Sequence, residues 1–260
     1  MAEAGVALAT TISQGVSAVL VVMALLKRTD ACKLSFSKLK FYKDELLQMI
    51  KIGLPAGIQG SLFSISNVII QSSINSFGSL AMAGNTAASN IEGFVYTGMN
   101  AIYQTCLSFT SQNLGAKQIK RIRKTLIYCQ IVVFVIGFVL GQVSFRLGNV
   151  LLGIYSSDPE VIAYGLVRLS YVGALYFLCG MMDVMVGALR GLGCSIGPTL
   201  IMIFGICIFR MVWLWTVFKA VSTFPVLVWS FPISWMIVCI ASGFYLWYLL
   251  RRFPNENMER

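Results

Sequence analysis

The sequence predicts an all-α protein, a polytopic bundle of seven helices that cross a lipid bilayer. Hydrophobic residues make up 57% of the 260 residues and charged residues only 12%, whereas soluble domains carry about 25% charged residues. The hydrophobic residues form blocks, and roughly 20 such residues in a helix span the hydrocarbon core of a bilayer. The seven blocks lie at 4–26, 46–73, 80–109, 125–146, 162–190, 198–219 and 225–250.

Basic residues are concentrated on one side of the predicted bundle, and this asymmetry indicates its orientation. The loops after the first and third spans are rich in Lys and Arg, and Arg251 and Arg252 follow the last span. The other side has only Arg146 and Lys219 near the span ends. Because basic loops remain in the cytoplasm, we expect a multi-pass protein of the cell inner (cytoplasmic) membrane with its N-terminus outside and its C-terminus inside. The net charge of +10 then reflects membrane topology, so we expect membrane lipids around the chain and no nucleic-acid partner.

The residue types present argue against enzyme chemistry. Histidine, the commonest general base and metal ligand, is absent. The seven cysteines form no C-x-x-C pair, and most lie in apolar segments as small buried side chains do. The sequence has no phosphate-binding loop of the Gly-Lys-Ser/Thr type. We therefore expect no enzyme activity and no cofactor.

Two neighbouring spans each contain a polar stripe at helical spacing. The stripe of the second span consists of Gly60, Ser64, Asn67, Gln71 and Asn75. The stripe of the third span consists of Asn85, Ser89, Glu92, Tyr96, Asn100 and Tyr103. Facing stripes of this kind predict a solvated cavity, because polar groups inside a membrane face the bundle interior. The candidate cavity and substrate residues are Asn67, Gln71, Ser89, Tyr96, Asn100 and Tyr103. The alternative is direct helix–helix contact through amide and hydroxyl pairs.

Two carboxylates lie well inside the predicted spans. Glu92 is about 18 Å from the outer end of its span, and Asp183 is about 10 Å from the inner end of its own, at 1.5 Å per helical residue. A carboxylate at such a depth can exchange a proton, or bind Na⁺ with help from neighbouring oxygens. Asp183 and Glu92 are therefore the candidate cation-coupling residues, and Asp183 is a possible Na⁺ ligand.

The basic residues inside the spans are expected to have structural roles. Arg210 lies at a depth similar to that of Glu92, which predicts a structural ion pair of Arg210 with Glu92 or Asp183. Lys51, Arg190 and Arg168 lie nearer the span ends, so we expect them to extend to the membrane interfaces.

Several segments of the chain resemble the multidrug and toxic compound extrusion (MATE) family. They are EAGVALAT at 3–10, KIGLP at 51–55, SQNLGA at 111–116 with the basic run at 120–124, and DVMVGALRG at 183–191. The resemblance implies two lobes of six helices, of which this chain would contain the last helix of the N-terminal lobe and the complete C-terminal lobe. The implied divisions are a helix at 1–28, a cytoplasmic basic loop at 29–45, the six-helix lobe at 46–252 and a cytoplasmic tail at 253–260.

The resemblance also implies a function. Family members export organic cations and drugs in exchange for Na⁺ or H⁺ by alternating access, so the expected partners are such substrates and the N-terminal lobe that this chain lacks. Asp183 matches a carboxylate implicated in cation binding in some members. The segment 57–64 departs from the pattern, since some members carry a glutamate early in this helix and none is present here.

Two alternatives to an active antiporter remain open at this stage. One is a truncated, non-transporting fragment that needs the missing N-terminal lobe, because a single lobe exposes a face that the other lobe would cover. The other is a seven-helix membrane receptor, which has the same number of spans and the same orientation.

Overall fold

The computed structural model describes residues 2–29, 33–36 and 40–252, and the regular secondary structure in these residues is helical. Its α-helices are α1 (Ala2–Lys27), α2 (Lys43–Asn75), α3 (Ser79–Gly115), α4 (Ile119–Arg146), α5 (Gly148–Gly153), α6 (Pro159–Arg168), α7 (Phe177–Gly191), α8 (Ile196–Met202), α9 (Phe209–Trp213) and α10 (Phe224–Arg252). Three π-helical segments directly follow α6, α8 and α9, and they are Leu169–Gly173, Ile203–Ile208 and Leu214–Phe218, respectively. The predicted tail at 253–260 and part of the predicted loop at 29–45 lie outside the described residues.

The chain divides into two compact units, residues 1–48 and 49–260. The first contains α1, a helix of 26 residues. The second contains most of α2 and all later helices, and it holds every residue of the site described below.

Several helices are long and apolar enough to cross a membrane. Within the described residues, five helices meet this condition, and the pair 159–173 and 177–191 makes a sixth if its two bent halves form one span. The predicted third span corresponds to α3, which is 37 residues long but is not among these helices, because its polar stripe lowers its hydropathy. The chain is thus a multi-pass membrane protein, and the count of seven spans stays a prediction.

The predicted fifth span is broken in the middle. α6 begins after Asp158, whose side chain accepts a hydrogen bond from the Glu160 backbone N–H at 2.9 Å, an N-cap of the usual kind. The π-helical segment follows, in which the Ala174 N–H donates to the Leu169 carbonyl at 3.0 Å, five residues back. The halves on either side of the break meet at an angle of 45°. A wider turn of this kind rotates the side chains that follow it relative to an unbroken α-helix.

α3 is the central helix of the second unit and packs against α4, α6 and α7. Glycines allow close backbone approach between α3 and α6 and between α4 and the π-helical segment Leu169–Gly173. A Cβ atom on Gly84 would lie 2.4 Å from the Val161 carbonyl oxygen of α6, and one on Gly141 would lie 2.4 Å from the Gly173 carbonyl oxygen. Small residues at helix–helix contacts are typical of membrane bundles, in which dispersion contacts replace the hydrophobic effect.

Candidate functional site

A cavity of about 570 Å³, lined by both polar and apolar side chains, lies within the second unit. Its walls come mainly from α2, α3, α7 and α10, with single side chains from α6, α8 and α9. Five of the six predicted cavity residues line it, namely Asn67, Gln71, Ser89, Tyr96 and Tyr103. The two polar stripes therefore face one common space, while the part that these residues play in binding stays a prediction.

Asn100 is the exception, since it is half-buried but does not line the cavity. At 100° per residue, Asn100 is turned about 60° from Tyr103 around the axis of α3. This angle places Asn100 at the edge of the stripe. The assignment of Asn100 to the cavity stays a prediction.

Glu92 is held by a buried arginine. The Arg168 Nε donates to Glu92 Oε1 at 3.0 Å and its Nη2 donates to Oε2 at 2.7 Å, and both side chains are buried. The remaining guanidinium nitrogen, Nη1, donates to Asn85 Oδ1 at 2.7 Å. Asn85 in turn donates to Gln71 Oε1 at 3.3 Å. This network joins α6, α3 and α2, and the bidentate geometry is the strong form of an Arg–carboxylate pair.

Two sequence predictions about arginines are corrected by this network. Arg168 does not extend to the membrane interface, because it is only 7% exposed and its guanidinium is bonded to Glu92. Glu92 pairs with Arg168 and not with Arg210, because α6 runs beside α3 at this depth. Arg168 is the last residue of α6, and the break that follows allows the helix to hold this side chain inward.

Arg210 is almost fully buried, at 1% exposure, and its bonded partners are neutral. Its Nε donates to Ser234 Oγ at 3.0 Å, and its Nη1 lies 3.5 Å from Asn67 Oδ1. The guanidinium carbon lies 4.3 Å from the centre of the Phe231 ring, a cation–π arrangement. Nη2 has no hydrogen-bond partner. Within the described residues, Arg210 forms no ion pair, so the predicted structural pair with Glu92 or Asp183 is absent.

Asp183 lies in α7, where it is half-buried and lines the cavity. The Tyr96 side chain of α3 lies beside the Asp183 carboxyl group. No ion pair to Asp183 is found in the described part of the chain. A carboxyl group in a polar cavity, with a tyrosine beside it and no direct ion-pair partner, is available to bind a proton, a metal cation or a ligand cation.

Arg190 and Gln59 close the end of the cavity that faces the α7–α8 turn. The Arg190 Nη1 donates to the Tyr103 hydroxyl at 2.9 Å, and its Nη2 donates to Gln59 Oε1 at 2.7 Å. The same Gln59 oxygen accepts from Thr199 Oγ1 at 3.3 Å. Arg190 thus hydrogen-bonds to side chains of α2 and α3, and Gln59 links it to Thr199 of α8; its reach to the membrane interface stays a prediction.

Sequence reasoning missed Gln59 and the roles of Asn85 and Arg168. Asn85 was visible as a member of the α3 stripe, and its distance of seven residues from Glu92 places both on one helix face. Gln59 gave a weaker signal, a single amide beside Gly60 in an apolar helix. Within the described residues, no group of three His, Cys, Asp or Glu side chains is placed to hold a metal ion.

The apolar helices surround a cavity that contains charged side chains. The MatE family model matches residues 55–216, which is more than half of the chain. The chain belongs to this family.

Curated relatives have names that refer to multidrug export or multidrug resistance. The chain is 24% identical over 250 residues to the multidrug export protein MepA of Staphylococcus saprophyticus, a match that covers 95% of this chain and 54% of that protein. It is 27% identical over 209 residues to the probable multidrug resistance protein YoeA of Bacillus subtilis, covering 78% of this chain and 44% of that protein. The chain thus spans about half the length of the curated relatives that it matches.

Solved structures of MATE transporters share the fold. A MATE protein in complex with MaL6 superimposes with a TM-score of 0.86 at 14% identity, covering 96% of this chain and 57% of that one. The Vibrio cholerae transporter VcmN in its bent form gives a TM-score of 0.81 at 22% identity, covering 96% and 56% of the two chains. Membership of a transporter family argues against the seven-helix receptor.

Proposed function

We propose that this chain forms one lobe of a cation-coupled antiporter that exports organic cations and drugs, with Asp183 as the coupling carboxylate. The observation that carries the proposal is the position of Asp183, which is half-buried in the cavity, next to Tyr96 and without a direct ion pair. A coupling cation, Na⁺ or H⁺, and a substrate cation would compete for this one negative charge. Competition of this kind links the two movements, because each ligand favours a different conformation of the transporter.

Glu92 is the weaker candidate for coupling. Both of its carboxylate oxygens are bonded to Arg168, so a cation that binds Glu92 must first displace a guanidinium. We therefore assign Glu92 a structural role. The aromatic residues Tyr96 and Tyr103 line the same cavity, and their rings would hold an organic cation by cation–π contact.

The Asp183→Asn variant tests the coupling role. We expect the cation-dependent part of drug export to fall at least about tenfold, which corresponds to about 1.4 kcal/mol of lost coupling free energy. Drug uptake into everted vesicles from cells that co-express the chain with an N-terminal lobe, driven separately by Na⁺ and H⁺ gradients, measures the effect and identifies the ion. Asp158→Asn is the control, because Asp158 caps α6 outside the cavity. Unchanged export and ion dependence in Asp183→Asn would exclude Asp183 from coupling.

The proposed transporter also requires a second lobe. Because the chain spans about half the length of its relatives, we expect it to need an N-terminal lobe for transport. Reconstitution in liposomes tests this: the chain alone should give no ion-coupled drug transport, and a co-expressed N-terminal lobe should restore it. Ion-coupled transport by the chain alone would contradict the two-lobe requirement.

The proposed orientation places the loop at 116–118 in the cytoplasm and the loop at 154–158 outside. Basic residues are concentrated after α3 and scarce after α4. Alkaline phosphatase inserted after Ser157 should be active in intact cells, and the same enzyme inserted after Lys117 should be inactive. The opposite activities would show that the bundle is inverted.

A further inference from the structure

We infer that Arg210 forms a binding subsite for the anionic group of a transported organic compound, a carboxylate or sulfonate. The inference rests on the proposed function only in that the bound compound would be transported. Binding of the compound itself requires no transport. It names a second charged contact in the cavity, opposite in sign to Asp183. A ligand that used both contacts would carry a cationic and an anionic group.

The charges that line the cavity are not balanced. Three arginines and two carboxylates face it, namely Arg168, Arg190, Arg210, Glu92 and Asp183. Glu92 and Arg168 neutralise each other through a bidentate pair. Arg190, Arg210 and Asp183 remain, which leaves one positive charge in excess. A cleft with low-dielectric walls concentrates the field of such a charge and attracts an anion.

Within the part of the chain that the structure describes, neither Arg190 nor Arg210 forms an ion pair, and Arg210 is the more deeply buried of the two. Arg190 is half-buried and hydrogen-bonds through both of its Nη atoms, whereas Arg210 is 1% exposed. The direct partners of Arg210 are a hydroxyl and an amide, and its Nη2 has none. Burial of a guanidinium without a counterion is unfavourable, so a ligand that supplies the missing negative charge is bound favourably.

The surroundings of Arg210 fit an organic anion better than a simple inorganic ion. A guanidinium matches a carboxylate or sulfonate with two parallel hydrogen bonds, and Nη2 together with the weakly bonded Nη1 provides these donors. The aromatic side chains of Phe63, Phe231 and Trp235 line the cavity beside it and offer an apolar surface to the rest of the molecule. Nη2 is covered in this conformation, so binding requires a side-chain rotation that turns it to the cavity.

A pair of fluorescent probes tests the subsite directly. Dansylglycine has a carboxylate and dansylglycinamide has a neutral amide in its place, with otherwise the same structure. The purified full chain in lipid nanodiscs should bind dansylglycine at least about tenfold more tightly than the amide, after subtraction of the signal from empty nanodiscs. Equal affinity for the two probes would overturn the proposal.

Single-residue variants test whether Arg210 causes the preference for the carboxylate probe. Arg210→Gln should remove the preference for the carboxylate, and Arg210→Lys should weaken it, because an ammonium cannot form the two parallel bonds. Lys219→Gln, an exposed basic residue after the same series of helical segments, should leave it unchanged. Retention of the full preference in Arg210→Gln would overturn the proposal; if that variant does not fold, full affinity in Arg210→Lys would do so.

The outcome is separable from that of the proposed function. Probe preference lost with Arg210 supports the subsite even if no transport is found in liposomes. Conversely, Asp183-dependent drug transport without any probe preference would support the transporter and reject the subsite.

Discussion

Replacement of Arg168 by methionine is expected to lower the free energy of unfolding by about 3–5 kcal/mol, the largest single effect that we predict. The reason is that Glu92 would remain as a buried carboxylate after losing both of its hydrogen-bond donors. Asn85 Oδ1 would also lose its donor. Desolvation of an unpaired charge, and not the loss of the contact itself, dominates the effect.

SDS titration in detergent micelles measures this effect. The buried free cysteines Cys106, Cys129, Cys179 and Cys207 react with a thiol-specific dye as the bundle unfolds, so the chain contains its own probe. Arg146→Met is the matched control, because Arg146 is exposed at the end of α4, and its effect should stay within about 0.5 kcal/mol.

A double variant separates charge burial from packing. When Glu92→Leu is added to Arg168→Met, both charges are absent and no carboxylate is left unpaired. We expect the double variant to recover more than half of the stability lost in Arg168→Met, since apolar replacement of a whole buried pair is often neutral. A loss below about 1 kcal/mol in Arg168→Met, or no recovery in the double variant, would contradict this account of the pair.

Substitution of Gly84 by alanine is expected to destabilise the bundle by about 1–3 kcal/mol. The added Cβ would lie 2.4 Å from the Val161 carbonyl oxygen and 2.9 Å from the Tyr164 Cβ. The Val161 carbonyl belongs to the backbone of α6 and cannot rotate away as a side chain could. α6 as a whole must therefore shift away from α3. Because Arg168 is the last residue of α6, the shift also lengthens its bonds to Glu92.

Gly93→Ala is the control for Gly84→Ala on the same helix. Nothing lies within 4 Å of a Cβ at Gly93, and alanine is favoured over glycine in a helix by up to about 1 kcal/mol. The two variants should therefore change stability in opposite directions in the same SDS titration. Equal effects would show that helix propensity, and not the α3–α6 contact, determines the result.

The sequence predicted the positions of the helices well and the side-chain contacts between helices poorly. Periodicity identified the polar stripes of α2 and α3, because residues on one helix face repeat at fixed spacing within a single segment. The pair of Arg168 and Glu92 joins residues 76 positions apart, and no spacing rule within one helix can relate them. The Asp183 position was available from its depth in an apolar segment, but the contact with Tyr96 depends on how α3 packs on α7.

The π-helical segments account for much of the error in the predicted directions of the arginine side chains. An unbroken helix over 162–190 would direct Arg168 by simple rotation at 100° per residue, whereas the observed break separates α6 from α7. Arg210 lies in α9 between the segments Ile203–Ile208 and Leu214–Phe218, so its direction also cannot be computed from an ideal period. Both arginines that define the electrostatics of the cavity are thus found where helical periodicity fails.

The single oxygen of Gln59 that accepts from both Arg190 and Thr199 has a consequence for cooperativity. Through Arg190 and its bond to Tyr103, that oxygen connects α2, α3, α7 and α8 at one end of the cavity. If α2 moves away, both acceptor bonds break in the same step, and Arg190 is left with a single neutral partner. α2 therefore separates from α7 and α8 in one step, while the bond of Arg190 to Tyr103 keeps α7 joined to α3.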